Sequence, residues 1–173
     1  MESQIIIRKA GKEDSTIVAA LASATFFEAY VESDDPRTLA EYVHDSFSVD
    51  RVAVEINDPK NTFFLAEYDD RPVGFAKMRR GEKPPFLSGE NCVEIHRIYL
   101  FSKFGRKGIG SALMEACYDR AGAEGFDSIF LGVWDKNEPG KRFYEKHGFT
   151  VVGETDFPYG DEVFVTEVMF RRL

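Results

Sequence analysis

Cysteine is nearly missing from this chain: Cys92 and Cys117 are two residues among 173. Their spacing suits neither a zinc site nor a disulfide framework, so no metal is called for, a reducing cytoplasm is expected, and both thiols are read as structural. Also missing is any apolar run near the ~18–20 residues that span a bilayer, which excludes a transmembrane role. Met1 to Lys9 lack a basic segment followed by a long apolar stretch and a small-residue cleavage site, so no export is expected. Basic charge is scarce. Against 30 Asp+Glu there are 22 Lys+Arg, a formal charge of −8 with a pI near 5.0, which argues against a nucleic-acid-binding surface. What is present is bulk: 43% of residues are hydrophobic, and sixteen Phe and seven Tyr give more core material than a disordered acidic chain carries. The length fits one domain, residues 1–173.

The charge is unevenly spread. Residues 1–100 hold 12 Lys+Arg against 18 Asp+Glu, residues 101–150 hold 8 against 7, and residues 151–173 hold 2 against 5. An anionic ligand therefore belongs with 101–150, while the acidic remainder would attract a cationic small molecule or peptide.

The hydrophobic pattern alternates strand and helix without a linker or repeat. Gln4 to Arg8 reads as a strand. Ile17, Ala20, Leu21, Ala24 and Phe27 then recur as on one helix face, and a short second helix carries Leu39, Tyr42, Val43 and Phe47 before Asp58-Pro59 breaks it. Thr62 to Tyr68 and Pro72 to Arg79 form a hairpin about Asp69-Asp70-Arg71. Cys92 to Phe101 alternates, with Glu94, His96, Ile98 and Leu100 on one face. A helix follows Gly108-Ile109-Gly110-Ser111, then a strand over Ser128 to Trp134, a helix over Asn137 to His147 ended by Gly148, and two strands over Phe149 to Glu154 and Val163 to Arg171. The class is α/β with α+β character.

Phe104-Gly105-Arg106-Lys107-Gly108-Ile109-Gly110-Ser111 is the most informative segment. A loop that leaves a strand and opens a helix presents unpaired N–H groups where the helix dipole favours negative charge, and glycines let a phosphate come close. The P-loop pattern is absent, and Leu113 stands where a dinucleotide fingerprint wants a third glycine. A glycine-rich turn with solvated basic residues fits this stretch equally well.

Glu94-Ile95-His96-Arg97-Ile98-Tyr99-Leu100, then Gly105 to Met114, then Leu131-Gly132-Val133-Trp134, then Asn137 to Phe149 together resemble the GNAT superfamily of acetyl-CoA-dependent N-acetyltransferases. Leu131 to Trp134 and Gly160-Asp161-Glu162 look like the bacterial PaiA-type spermidine/spermine acetyltransferases. Two places depart from those patterns: Gly105 stands where the loop motif usually has Gln or Arg, and Phe164-Val165-Thr166 stand where the PaiA-type group has Gln-Thr-Asp.

The resemblance implies a mixed sheet of about seven strands with about four helices, in which two splayed parallel strands form the coenzyme A site. It assigns Ile98 and Leu100 to the pantetheine arm, and Arg106, Lys107, Gly108, Ile109, Gly110 and Ser111 to the pyrophosphate. It puts Asn137, Lys141, Phe143 and Lys146 along the cofactor. Acetyl-CoA is the implied cosubstrate, with a small-molecule amine as partner and a homodimer among the assemblies allowed. A protonated amine must lose a proton before attacking a thioester, and Glu94 and His96 are the candidate bases. Tyr144, seven residues after Asn137, falls at the family's general-acid position. The acceptor is expected at Phe27, Tyr30, Asp34 and Asp35 and at the final hairpin with Tyr159 and Asp161; a polyamine fits the surplus acid. A catalytically weak acyl-CoA-binding module and a peptide N-acetyltransferase stay open as alternatives.

Overall fold

The computed structural model describes residues 4–173; the first three residues of the segment read above for an export signal lie outside the described residues. The mixed seven-stranded sheet expected from the sequence is present, with strands Ile5–Lys9 (β1), Asn61–Tyr68 (β2), Arg71–Arg79 (β3), Cys92–Leu100 (β4), Ser128–Trp134 (β5), Thr150–Tyr159 (β6) and Glu162–Arg172 (β7) in the order β1-β2-β3-β4-β5-β7-β6. Five α-helices accompany it: Ser15–Tyr30 (α1), Pro36–Phe47 (α2), Val49–Asn57 (α3), Ile109–Ala123 (α4) and Glu138–Lys146 (α5). The chain divides into two compact units, one made of the stretch up to Met78 with Arg97–Cys117, the other of Arg79–His96 with Tyr118–Leu173.

In the first unit β1 lies antiparallel to β2, Ile5 opposite Tyr68 and Lys9 opposite Phe64. Helix α1 corrects the sequence reading of its face. Ser15, Val18, Ala19, Leu21, Ala22, Thr25 and Phe26 are the buried positions, whereas Ile17 and Phe27 are 40% and 38% exposed and Ala20 and Ala24 are exposed as well. The helix is apolar on nearly every side, so periodicity alone could not choose among its faces. The expected single second helix is two. Ser48, extended at φ −59° and ψ 149°, ends α2 and begins α3, and the β-branched Val49, Val52, Val54 and Ile56 hide α3 from a propensity reading. Asp35 caps α2, its carboxylate accepting the Thr38 N–H at 2.9 Å, and Pro36 occupies the first turn, where its missing N–H costs nothing.

Phe63, Leu65, Phe75, Leu39, Ile109, Leu113 and Met114 are fully buried in this unit. Charges are buried here too, and they are paired. Glu55 accepts from Arg97 at 2.7 Å and from Lys77 at 3.0 Å, and Arg8 forks onto Asp14 at 2.9 and 2.8 Å. Gly74 permits a close approach of chain: a Cβ there would stand 2.6 Å from the Tyr99 carbonyl oxygen.

In the second unit β4 and β5 run parallel, Cys92 opposite Ser128 through Ile95 opposite Leu131. Strand β5 continues to Trp134, which faces Thr166 of the antiparallel β7. Strand β6 pairs with β7 through a bulge between Val151 and Gly153 and reaches Tyr159, five residues past the expected end at Glu154. Leu87, Cys92, Phe130 and Val168 form a buried cluster with Phe170 against it. Both cysteines are buried free thiols; burial pushes Cys92 up and Cys117 up to about 12, as inert structural thiols require.

Candidate active site

In the first unit, β4 leads through the 3-10 turn Ser102–Phe104 into the glycine loop. Arg106 has φ +60° and Gly108 φ +84°. Two left-handed residues two apart turn the chain sharply, and Gly108 then opens α4, its carbonyl accepting the Ala112 N–H at 2.9 Å. A helix start of this kind directs the first-turn N–H groups of Ile109, Gly110 and Ser111 outward along the dipole. Arg106, Lys107, Gly108 and Ser111 are exposed, while Ile109 is buried and anchors the helix. Ile98 and Leu100 are half-buried on β4.

The loop has an anchor that the sequence reading missed. Glu28, on α1, accepts the Ser102 N–H at 2.9 Å and the Ser102 hydroxyl at 2.8 Å. The two residues are 74 positions apart, and nothing local in the chain marks the pair.

The same unit gathers aromatic rings at the end of α1. Phe26 lies 4.6 Å from Tyr30, 4.9 Å from Tyr42, 5.5 Å from Phe47 and 5.9 Å from Tyr99, between ring centroids. Burial, then the nearby Asp34 carboxylate and Tyr42, raise the Tyr30 phenol above its ordinary pKa. Asp34 also accepts the Ser33 hydroxyl at 2.9 Å. Asp35 is drawn into the α2 cap, and the Thr38 N–H holds its carboxyl below the usual range. Phe27 is exposed.

In the second unit, Glu94 and His96 are half-buried on β4. The Glu94 carboxylate is 13% exposed and accepts from Arg79 Nε at 2.8 Å, so it is no exposed strand end. On α5, Asn137 is the N-cap, its side-chain oxygen accepting the Gly140 N–H at 3.0 Å. Lys141 is bound internally. Its Nζ donates to the Asp135 carbonyl at 2.6 Å and pairs with Glu138 at 2.7 Å, and the Glu138 bond raises its pKa. Lys146 is exposed and Phe143 half-buried. Tyr144 is half-buried with its ring 5.4 Å from Phe143 and 6.1 Å from Phe149. On the last hairpin Tyr159 is buried, its ring 5.5 Å from Phe164, and Asp161 is exposed at the turn. Among the described residues no group of three or more His, Cys, Asp or Glu could hold a metal ion, and no helix is long and apolar enough to cross a membrane.

In this mixed sheet β4 and β5 run parallel, and a glycine loop after β4 opens a helix. Residues 17–149 match the Acetyltransferase (GNAT) family, and the chain belongs to that family. It is similar to an uncharacterized N-acetyltransferase of Mycobacterium tuberculosis, 32% identical over 160 residues that cover 92% of this chain and 98% of that protein. A second such relative, from Lactobacillus delbrueckii subsp. lactis, is 27% identical over 156 residues, 90% of each chain. Among solved structures, the PaiA N-acetyltransferase from Thermoplasma acidophilum in complex with coenzyme A superposes with a TM-score of 0.80 at 23% identity, over 98% of this chain and 99% of that one; this likeness shows the shared fold. The protein is an N-acetyltransferase, and acetyl-CoA is its acetyl donor.

Proposed function

We propose that this enzyme acetylates the primary amine of a small cationic molecule such as a polyamine, by direct attack of the amine nitrogen on the thioester. The observation that carries the reading is the cluster of Phe26, Tyr30, Tyr42 and Tyr99 with Asp34 beside Tyr30. Packed rings of this kind form an aromatic wall whose outer faces suit an ammonium group, and a carboxylate near Tyr30 adds charge that a neutral acceptor would not use.

Acetyl-CoA supplies the activated carbonyl and leaves as a thiol. The loop from Arg106 to Ser111 holds its pyrophosphate on the first-turn N–H groups of α4, and Ile98 and Leu100 offer strand backbone to the pantetheine arm. His96 takes the proton from the incoming amine. It is the better base because Glu94 is committed to Arg79, and protonating that carboxylate would cost the ion pair. Glu94 serves as the second candidate, through water. As the C–N bond forms, a backbone N–H near Ile98 meets the charge growing on the carbonyl oxygen. As the C–S bond breaks, Tyr144 donates its phenolic proton to the sulfur, and a phenol near pKa ~10 suits a leaving thiolate whose conjugate acid lies near ~8.5.

Thiol release from acetyl-CoA across a panel of amines tests the proposal. Spermidine or spermine should react with a kcat/KM that falls steeply with added salt. Inert polyamines beside a reactive neutral amine or peptide N-terminus would end the polyamine assignment.

A further inference from the structure

A helix on the outside of a protein keeps a charged face toward water, as α2 does with Arg37, Glu41 and Asp45 at exposed positions. Helix α1 does not. Glu28 is its only charged residue between Ser15 and Tyr30, and the side turned to water is as apolar as the side packed into the unit. On that outer side Ile17, Ala20, Ala24, Phe27 and Val31 are all exposed, the three large ones at 40%, 38% and 41%. The helical path reaches Val31, whose N–H donates to the Phe27 carbonyl at 2.9 Å. These residues follow one another at steps of three, four, three and four, the spacing at which one helix lays a narrow apolar seam against another. Single apolar residues scattered over a surface need no account. An apolar row in one register along a helix does, because a helix apolar on all sides is one that its assembly covers on all sides.

The row is complementary to itself when two copies of α1 run antiparallel about a two-fold axis at Ala22. Ile17 then faces the partner's Phe27 and Ala20 faces the partner's Ala24, so bulky side chains pack toward the ends while short ones let the helices approach at the middle. Charge selects the same direction. Lys12 lies exposed just ahead of the helix and Glu32 exposed just past it, and antiparallel pairing brings the Lys12 end of one copy beside the Glu32 end of the other. Parallel pairing would set Glu28 and Glu32 against their own counterparts and align the two helix dipoles. We infer that the outer face of α1 is a self-association surface through which two copies of this chain pair antiparallel. A seam about 24 Å long on a helix about 10 Å wide covers less than the ~800 Å² per partner of a standard interface, so the dimer is reversible, with a Kd in the micromolar range.

Sedimentation equilibrium of the full chain tests the pairing. The native protein should move from a 19.6 kDa monomer toward twice that mass as its concentration rises through the micromolar range. Ala20→Glu combined with Ala24→Glu sets acid against acid across the axis and should weaken association by at least about tenfold, and Ala20→Lys combined with Ala24→Lys should do the same. Both alanines are exposed, so each variant should keep the native circular dichroism. Mixed in equal amounts, the acidic and basic variants should pair with each other about as tightly as the native copies do. Ile17→Gln, a single change toward one end of the row, should weaken the dimer severalfold and serves if either double variant fails to fold. A native protein that stays monomeric to about 500 μM, well above a micromolar Kd, would overturn the surface. Variants that dimerise as well as the native protein would also overturn it, by placing the contact elsewhere, and folded variants that stay monomeric in the mixture would overturn the antiparallel pairing.

Discussion

At the scale of single residues, the proposed chemistry rests on three side chains, Tyr144, His96 and Glu94, whose types the reaction demands. The Tyr144 ring lies 5.4 Å from Phe143 and 6.1 Å from Phe149, contacts that a phenylalanine would keep. Tyr144→Phe should therefore keep the fold and the affinity for coenzyme A while lowering kcat by ~10²–10⁴. Undiminished turnover, measured where chemistry limits the rate, would return Tyr144 to a packing role. For the proposed base, the two candidates carry different expectations, since protonating Glu94 would cost its ion pair with Arg79. His96→Ala should remove a limb near neutrality from the pH profile of kcat/KM, and Glu94→Gln should shift it less. Tyr144 is proposed as the acid from the family resemblance; the ion pair of Arg79 with Glu94 joins β3 to β4 and left no mark along the chain.

At the scale of elements, what could be read depended on whether the signal was local. The glycine loop that opens α4 and the Gly148 stop after α5 are each written in adjacent residues, and each lies where the sequence put it. The face of α1 was not readable, because Ile17, Ala20, Ala24 and Phe27 compete with Val18, Leu21, Ala22 and Phe26 on equal hydrophobic terms. Nor was the latch from Glu28 to Ser102, which only the folded chain brings together. That latch holds the 3-10 turn from which the glycine loop, the proposed cofactor loop, departs. Glu28→Ala should weaken coenzyme A binding about three- to tenfold, the loss of one or two hydrogen bonds to a charged acceptor, with little change in kcat at saturation. Glu28→Gln, which keeps one acceptor oxygen, should recover part of it. Gly74 is a second element-level constraint. A Cβ would meet the Tyr99 carbonyl at 2.6 Å, so Gly74→Ala should push β3 from β4 and cost roughly 1–3 kcal/mol in a denaturant titration.

At the scale of the molecule, a net charge of −8 sets how stability depends on pH. Two buried carboxylates matter beyond their number. The hydrogen bond from Arg8 holds Asp14 below its ordinary pKa against the opposing effect of burial. For Glu55 burial pushes upward, and Arg97 and Lys77 together more than reverse it, leaving the group lowered. Both carboxyls thus ionise more readily in the folded chain than in the unfolded one, so the unfolded state binds more protons through the carboxylate range and stability rises with pH there. Their contribution is complete above the ordinary carboxylate pKa and is lost as pH falls through the lowered one. The thermal midpoint should accordingly drop between pH 6 and pH 3. Glu55→Gln should cost about 3–5 kcal/mol near pH 7, because Lys77 and Arg97 would keep their charges without that partner. Near pH 3 the native carboxyl is itself being protonated, so the gap between native and variant should narrow. Thermal melts of both proteins across that range are the measurement, with Asp14→Asn as the companion variant should Glu55→Gln fail to fold. A gap that stays constant from pH 7 to pH 3 would show that the ionised Glu55 carboxylate is not what holds α3 to β3 and β4.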